Sequence, residues 1–153
     1  MKISKKCEYA LRALIALTGR YGGEPMQIRE VADTAKVPEK FLEQILLTLR
    51  NAGLLQSRRG AGGGYSLIRD PAAVDLAQVI RIIDGPLAPT SCVSKWAPVR
   101  CPEEAQCALR GVMLEVRNAI SDILENTSLA SLCKPASLRK GRGKRKTDSK
   151  LSK

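Results

Sequence analysis

The 153-residue sequence predicts a mainly α-helical fold: a winged helix-turn-helix domain with a two-stranded wing, followed by a long C-terminal dimerisation helix. Three observations predict it. Aliphatic residues recur at helical spacing while aromatics make up only 3% of the chain. Two short amphipathic segments meet at a tight turn, and the second stops at Gly53. Directly after it, two strand-like runs flank a tip of arginine and glycine, the pattern of a wing. At this length one domain with a core plus an appendage is expected.

Each element follows from its own pattern. From Ser4 to Arg20, Cys7, Leu11, Leu14, Ile15 and Leu17 mark the apolar face of a first helix, ended by Tyr21-Gly22-Gly23. After a loop through Pro25, residues Gln27 to Ala35 read as a short helix burying Ile28, Val31, Ala32 and Ala35. Lys36-Val37 forms the turn, and Pro38 suits the first position of the next helix, where its missing N–H costs nothing. That helix is expected to bury Phe41, Leu42, Ile45, Leu46 and Leu49, and to offer Lys40, Glu43, Gln44, Leu47, Thr48 and Asn51 outward. Periodicity alone does not separate this pair from an ordinary helical hairpin.

The wing decides between them. Leu54 to Ser57 and Tyr65 to Ile68 can pair, joined by Arg58-Arg59-Gly60-Ala61-Gly62-Gly63-Gly64. Four glycines permit positive φ and close backbone approach, and the arginines supply charge for a narrow minor groove. A phosphate-binding nucleotide loop is disfavoured, because no Gly-Lys-Ser/Thr follows and the run closes a hairpin instead of opening a helix. Asp70-Pro71 then turns the chain, and Asp75 with Gln78 starts a helix burying Leu76, Val79, Ile80 and Ile83 up to Gly85-Pro86.

An irregular stretch, 86–107, carries Cys92, Cys101, Cys107 and the lone Trp96. Beyond it Leu109, Val112, Met113, Val116, Ile120, Ile123 and Leu124 form a stripe longer than a small winged-helix core requires. The stripe is expected to pack against its copy in a dimer. Four segments result: a DNA-binding domain over 1–85, a cysteine-containing sensor loop over 86–107, a dimerisation helix over 108–133 and a basic, disordered tail over 134–153.

The net charge of +11 says less than its size suggests. From Arg139 to Lys153 there are eight Lys or Arg and one acid, so +7 of it lies in the tail, which attracts any polyanion without reading sequence. A basic RNA- or ribosome-associated protein is therefore a competing reading, although so few aromatics offer little for base stacking. Acid–base and triad enzymes are disfavoured by the absence of histidine. No run of about 18 apolar residues occurs, and the N-terminus lacks a cleavage pattern, so a cytoplasmic protein is expected.

Five cysteines, three of them in one loop, point to metal or redox chemistry more than to structural disulfides. Thiolates from one loop can hold a soft metal or an iron-sulfur cluster. Thiol redox sensing without a metal is the alternative. Zinc is a third reading, weakened by the lack of closely spaced cysteine pairs.

Leu42-Glu43-Gln44-Ile45-Leu46, Leu49-Arg50, Gly53-Leu54-Leu55, Ser57-Arg58-Arg59-Gly60 and Gly62-Gly63-Gly64-Tyr65 resemble the signature of the winged-helix repressor family that includes IscR and NsrR. Met1 to Ser4, Glu8 to Leu11 and Asp84 resemble it too, and the likeness covers residues 1 to about 132. It implies a homodimer on palindromic double-stranded operator DNA, with recognition helices in major grooves and wings at minor grooves. Glu43 and Gln44 would then reach base edges and Arg59 the minor groove, with Lys40, Arg50 and Arg58 on phosphates and Gly62, Gly63 and Tyr65 of the wing also among the DNA-binding residues. The resemblance also implies a [4Fe-4S] or [2Fe-2S] cluster on Cys92, Cys101 and Cys107. The gap from Cys92 to Cys101 is longer than is usual in the family. Where IscR-like members place a histidine this chain has Arg110, so the fourth ligand is expected to be Glu8 across the dimer, as in NsrR-like members. Cys7, then Cys133 or an exogenous thiol, are the other candidates.

Overall fold

The computed structural model describes residues 2–133, and the basic tail lies outside them. Helix α1 (Lys5–Thr18) starts at Ser4, whose hydroxyl accepts from the Cys7 N–H at 3.0 Å. Its inner face buries Ala10 and Ala13 besides Cys7, Leu14 and Leu17, while Leu11 and Ile15 are half-buried. The alanines let α2 (Ile28–Ala35) and α3 (Glu39–Asn51) pack close to α1.

Between α2 and α3 the chain turns at Lys36, which holds the left-handed conformation (φ 54°). Pro38 precedes the first turn of α3 instead of standing in it, a one-residue difference from the expected boundary. The end of α3 is fixed on both sides. Leu54 N–H donates to Leu49 O and Gly53 N–H to Arg50 O, each at 3.0 Å, with Gly53 at φ 74°. That is a Schellman motif, and it explains why the helix stops at this glycine.

One expectation fails on α3. Leu42, Ile45, Leu46 and Leu49 are sealed in the core, but Phe41 is 47% exposed. Phe41 sits at the edge of the apolar arc, and α1 meets it with the ring of Tyr9 at 5.8 Å between centroids without covering it.

Strands β1 (Leu55–Arg58) and β2 (Gly64–Leu67) pair antiparallel, with Leu55 opposite Leu67 and Arg58 opposite Gly64. Met26, expected to lie in a loop, adds a third contact to this sheet. Its N–H donates to Tyr65 O at 2.9 Å and Tyr65 N–H donates to Met26 O at 2.8 Å. Helix α4 (Leu76–Asp84) begins where Asp75 accepts from Gln78 N–H at 2.7 Å and ends at Gly85.

Helix α5 (Ala108–Glu125) has no buried residue. Its apolar stripe divides: Met113, Ile120 and Leu124 are half-buried on the side of the body, whereas Leu109, Val112, Val116 and Ile123 remain exposed. The helix stops at Glu125, and a separate short helix α6 (Leu129–Leu132) follows. The break is local, since Asn126 and Thr127 turn their side chains back onto the Asp122 and Ile123 carbonyls, each at 2.7 Å. The chain then returns to the N-terminal core. Leu76 N–H donates to Thr127 O at 3.0 Å, Leu129 N–H donates to Val74 O at 2.9 Å, and the Leu129 side chain is fully buried.

Candidate nucleic-acid interface and cysteine loop

The reading face is built where α3 meets the wing. Glu43 and Gln44 stand exposed on α3, and with Leu47 they form one wall of a notch. Gly60, Gly63, Gly64 and Tyr65 of the wing form the other, and Gln27 and Ile28 at the start of α2 close it. Sequence reasoning missed Met26, Gln27 and Ile28 as part of this site, because a one-residue bridge leaves no periodic signal.

Glycine is required here for space as well as for torsion. A Cβ on Gly64 would lie 2.3 Å from Met26 O, and one on Gly63 would lie 2.3 Å from Arg58 O. Gly63 N–H donates to Gly60 O at 2.9 Å, and Gly60 and Gly62 hold φ of 89° and 73°. The tip is thereby folded tightly, leaving Arg58 and Arg59 exposed at its edge. Arg50 lies exposed near the end of α3 and donates weakly to Ser57 Oγ at 3.4 Å. Lys40 is exposed with its Nζ 5.1 Å from the Phe41 ring centroid.

The cysteines divide by environment. Cys7 is sealed between α1 and α4, and burial first, then the charge and hydrogen bond of Asp84, push its thiol up to about 12. Asp84 is itself held by Ser4, whose N–H donates to Oδ2 at 2.8 Å and whose hydroxyl donates to Oδ1. Cys7 is thus a small, fully buried thiol, in a setting unlike that of the loop cysteines. Cys92, Cys101 and Cys107 are free and half-exposed, and Cys133 is free and exposed.

Cys92 sits in a 3-10 turn with its sulfur 3.4 Å from Thr90 Oγ1. Cys101 opens onto a shallow concavity with Arg100, Glu104 and Arg110. Cys107 occupies the position just before α5. Among the described residues these thiols do not converge into a metal-ligating group with each other or with Glu8. Three sulfur donors suit a soft metal or cluster, but their arrangement in one chain does not assemble its site. Arg110, where a histidine ligand would stand, is instead paired with Glu104 at 2.7 Å. Glu8 is engaged by Lys5 and Arg12, each at 2.7 Å. The hydrogen bond from Lys5, aided by the charges of Lys5 and Arg12, holds its carboxyl below the ordinary carboxylate value.

A family model described as Rrf2, iron-dependent transcriptional regulator, matches residues 3–135. The chain belongs to the Rrf2 family. The regulator CymR of Bacillus subtilis is 36% identical over 132 residues, covering 86% of this chain and 89% of that protein. Its solved structure, described as that of the global cysteine regulator, superposes with a TM-score of 0.74 and covers 87% of this chain and 96% of CymR. An rrf2-like regulator of Rhodobacter capsulatus is 42% identical over 120 residues, 74% of this chain and 80% of the relative. The structure of IscR from T. potens matches with a TM-score of 0.71 and 28% identity, covering 94% of each chain.

This Rrf2 protein is therefore a DNA-binding transcriptional regulator and not an enzyme, on the winged helix-turn-helix fold expected from the sequence. The RNA-associated alternative loses its support. No helix among the described residues is long and apolar enough to cross a membrane.

Proposed function

We propose that this Rrf2 chain acts in the cytoplasm as a homodimeric repressor on palindromic double-stranded operator DNA, reading sequence with α3 and groove width with the wing. The observation that carries it is the shared notch, with Glu43 and Gln44 on one wall, glycines on the other and Arg58 and Arg59 exposed at the rim. Glu accepts from cytosine N4, Gln pairs with adenine, and Arg59 suits a narrow minor groove. Lys40, Arg50 and Arg58 orient the protein on phosphates. Gly62, Gly63 and Tyr65 keep the wing in shape. The test is selection of bound genomic fragments followed by Glu43→Ala, which should relax discrimination among operator variants. Unchanged discrimination removes Glu43 from the readout.

The exposed side of α5 supports the dimer. Leu109, Val112, Val116 and Ile123 follow alternating three- and four-residue steps, with Ala119 between the last two, as in a helix seam. A sedimentation experiment giving only monomer at micromolar concentration would end that reading.

Within the dimer we assign signal input to the loop 86–107, with Cys92, Cys101 and Cys107 holding an iron-sulfur cluster and the partner's Glu8 as the first candidate for its remaining ligand. Such a cluster would supply a centre sensitive to oxidants and to iron supply beside α5. A metal-free thiol switch on the same cysteines is the second reading. It is favoured by the similarity to a protein described as a cysteine regulator. Anaerobic purification and reconstitution distinguish the two. Visible absorbance with iron and acid-labile sulfide supports the cluster, whereas their absence together with an oxidant-dependent change in operator affinity supports the thiol switch.

A further inference from the structure

The unexpected exposure of Phe41 marks a second surface on the reading face. Exposed Phe41 and half-buried Tyr9 form an aromatic wall, and the groove along it is bordered by Lys5, Lys6, Lys40 and Gln44. Gln44 also lines the notch between α3 and the wing, so the groove is continuous with the reading surface. Three ammonium groups beside an aromatic face are chemically suited to a sugar-phosphate backbone: the cations meet phosphates and the ring faces cover the apolar side of deoxyribose. Lys5 is partly committed to Glu8, leaving Lys6 and Lys40 as the main charges.

We propose that the groove between the N-terminal turns of α1 and α3 is a backbone-docking site for the same DNA duplex, in which Lys6 contacts a phosphate and Tyr9 with Phe41 packs on the adjoining sugar. The site rests on the reading of α3 as the recognition helix. It adds a contact from α1, an element outside the helix-turn-helix pair, and it fixes how far α3 enters the groove without specifying bases. A second copy of this chain is the rival occupant. The cysteine loop's exposed Trp96 and Val99 make it a candidate, but residues 92–107 carry two basic and two acidic side chains and so offer the lysines no complementary charge.

The test uses the intact protein and a duplex that the wild type retains from a pool of genomic fragments, with a scrambled duplex as control. Affinity is measured by fluorescence anisotropy across a salt series. Lys6→Gln should weaken binding and make the slope of log affinity against log salt shallower by about 0.9 for each phosphate no longer neutralised, while the ratio of specific to scrambled binding stays constant. Lys6→Arg should restore the slope. Phe41→Ala should weaken binding with the slope unchanged, and because Phe41 is half exposed the variant is expected to keep its fold. Glu43→Ala should do the converse of Lys6→Gln, lowering the ratio and leaving the slope. If Lys6→Gln leaves affinity and slope intact while Glu43→Ala lowers the ratio, the groove is not a DNA site although the recognition helix is. If Lys6→Gln or Phe41→Ala shifts the sedimentation coefficient instead, the groove belongs to a second copy. A wild type that prefers no duplex would remove both.

Discussion

The winged helix-turn-helix half and the cysteine-loop half of this chain are held in place by different means. From α1 to α4, side chains such as Leu14, Leu42, Leu46, Leu49 and Leu54 are sealed in one core, and turns are closed by hydrogen-bonded caps. From 86 to 125, by contrast, only Leu87, Val93 and Ser94 are buried, and α5 contributes none. The cysteine-loop half is attached through buried Leu87, which packs with Cys7, Ala77, Ile80 and Leu124, and through polar contacts of Arg81. Across the junction Arg81 pairs with Glu125 and lies 5.4 Å from the Trp96 ring centroid, whereas the bond from Arg117 Nη1 to Val93 O at 3.1 Å is internal to the cysteine-loop half. Packing within one chain fixes the reading surface, whereas the cysteine loop and the outer face of α5 depend on what covers or binds them.

The largest expected effect separates the halves directly. Leu46→Ala should cost about 2–5 kcal/mol in urea unfolding, because a fully buried side chain leaves a cavity. Val112→Ser, on the exposed side of α5, should change the stability of dilute protein by no more than about 0.5 kcal/mol. It should instead weaken self-association in a sedimentation series. Similar unfolding losses for the two variants would erase the contrast.

Next in size is the wing. Gly64→Ala drives a Cβ into Met26 O and should cost about 1–3 kcal/mol while reducing operator affinity, since the Met26–Tyr65 bridge holds the wing against α2. Urea unfolding and anisotropy on the same variant check both. A variant with wild-type stability and affinity would mean that the wing is as loosely held as the cysteine loop.

The same contrast governs what the sequence reveals. Gly53 as a helix stop and Asp75 as a cap were legible because each acts within a few residues of itself. The apolar arc of α3 was legible except at its edge, where Tyr9 of a distant helix decides that Phe41 is bordered and not covered. The Met26 bridge and the return of Leu129 to the core were not legible, because both are long-range contacts made by single residues. For the cysteines, spacing along the chain placed three thiols in one loop, yet one chain does not bring them together. Local rules describe the winged helix-turn-helix half well and the cysteine loop poorly because the loop's geometry is not local.

Cys7 offers a test whose size is set by pH. The unfolded chain releases this proton near the ordinary value of 9.0, while the folded chain retains it to about 12, so the native state binds more protons between those values. Stability from this group is whole below about pH 9 and declines as pH rises toward 12, by up to about 1.4 kcal/mol per pH unit. Measured as the difference between wild type and Cys7→Ala, the decline should appear in urea midpoints above pH 9. Alkylation at neutral pH should label Cys92, Cys101, Cys107 and Cys133 while Cys7 stays protected. Labelling of Cys7 at the rate of the loop thiols would show the core of α1 and α4 to be as open as the loop.

The smallest effect is the most pointed, because it asks whether the halves come apart separately. Trp96 is the lone tryptophan, 71% exposed, and lies on the cysteine loop against Arg81. Its fluorescence reports the loop, while far-UV circular dichroism reports mainly the helices of the reader. Arg81→Gln removes a half-buried cation–π contact and an ion pair, each contributing about 1 kcal/mol. The circular dichroism midpoint should therefore hardly move, while the fluorescence transition shifts to lower urea and separates from it. Two probes that disagree mean local opening of the loop ahead of global unfolding. Coincident transitions in both wild type and Arg81→Gln would mean that one cooperative unit spans reader and sensor. A signal at the cysteines would then have to act through the whole core instead of through the attachment of the loop.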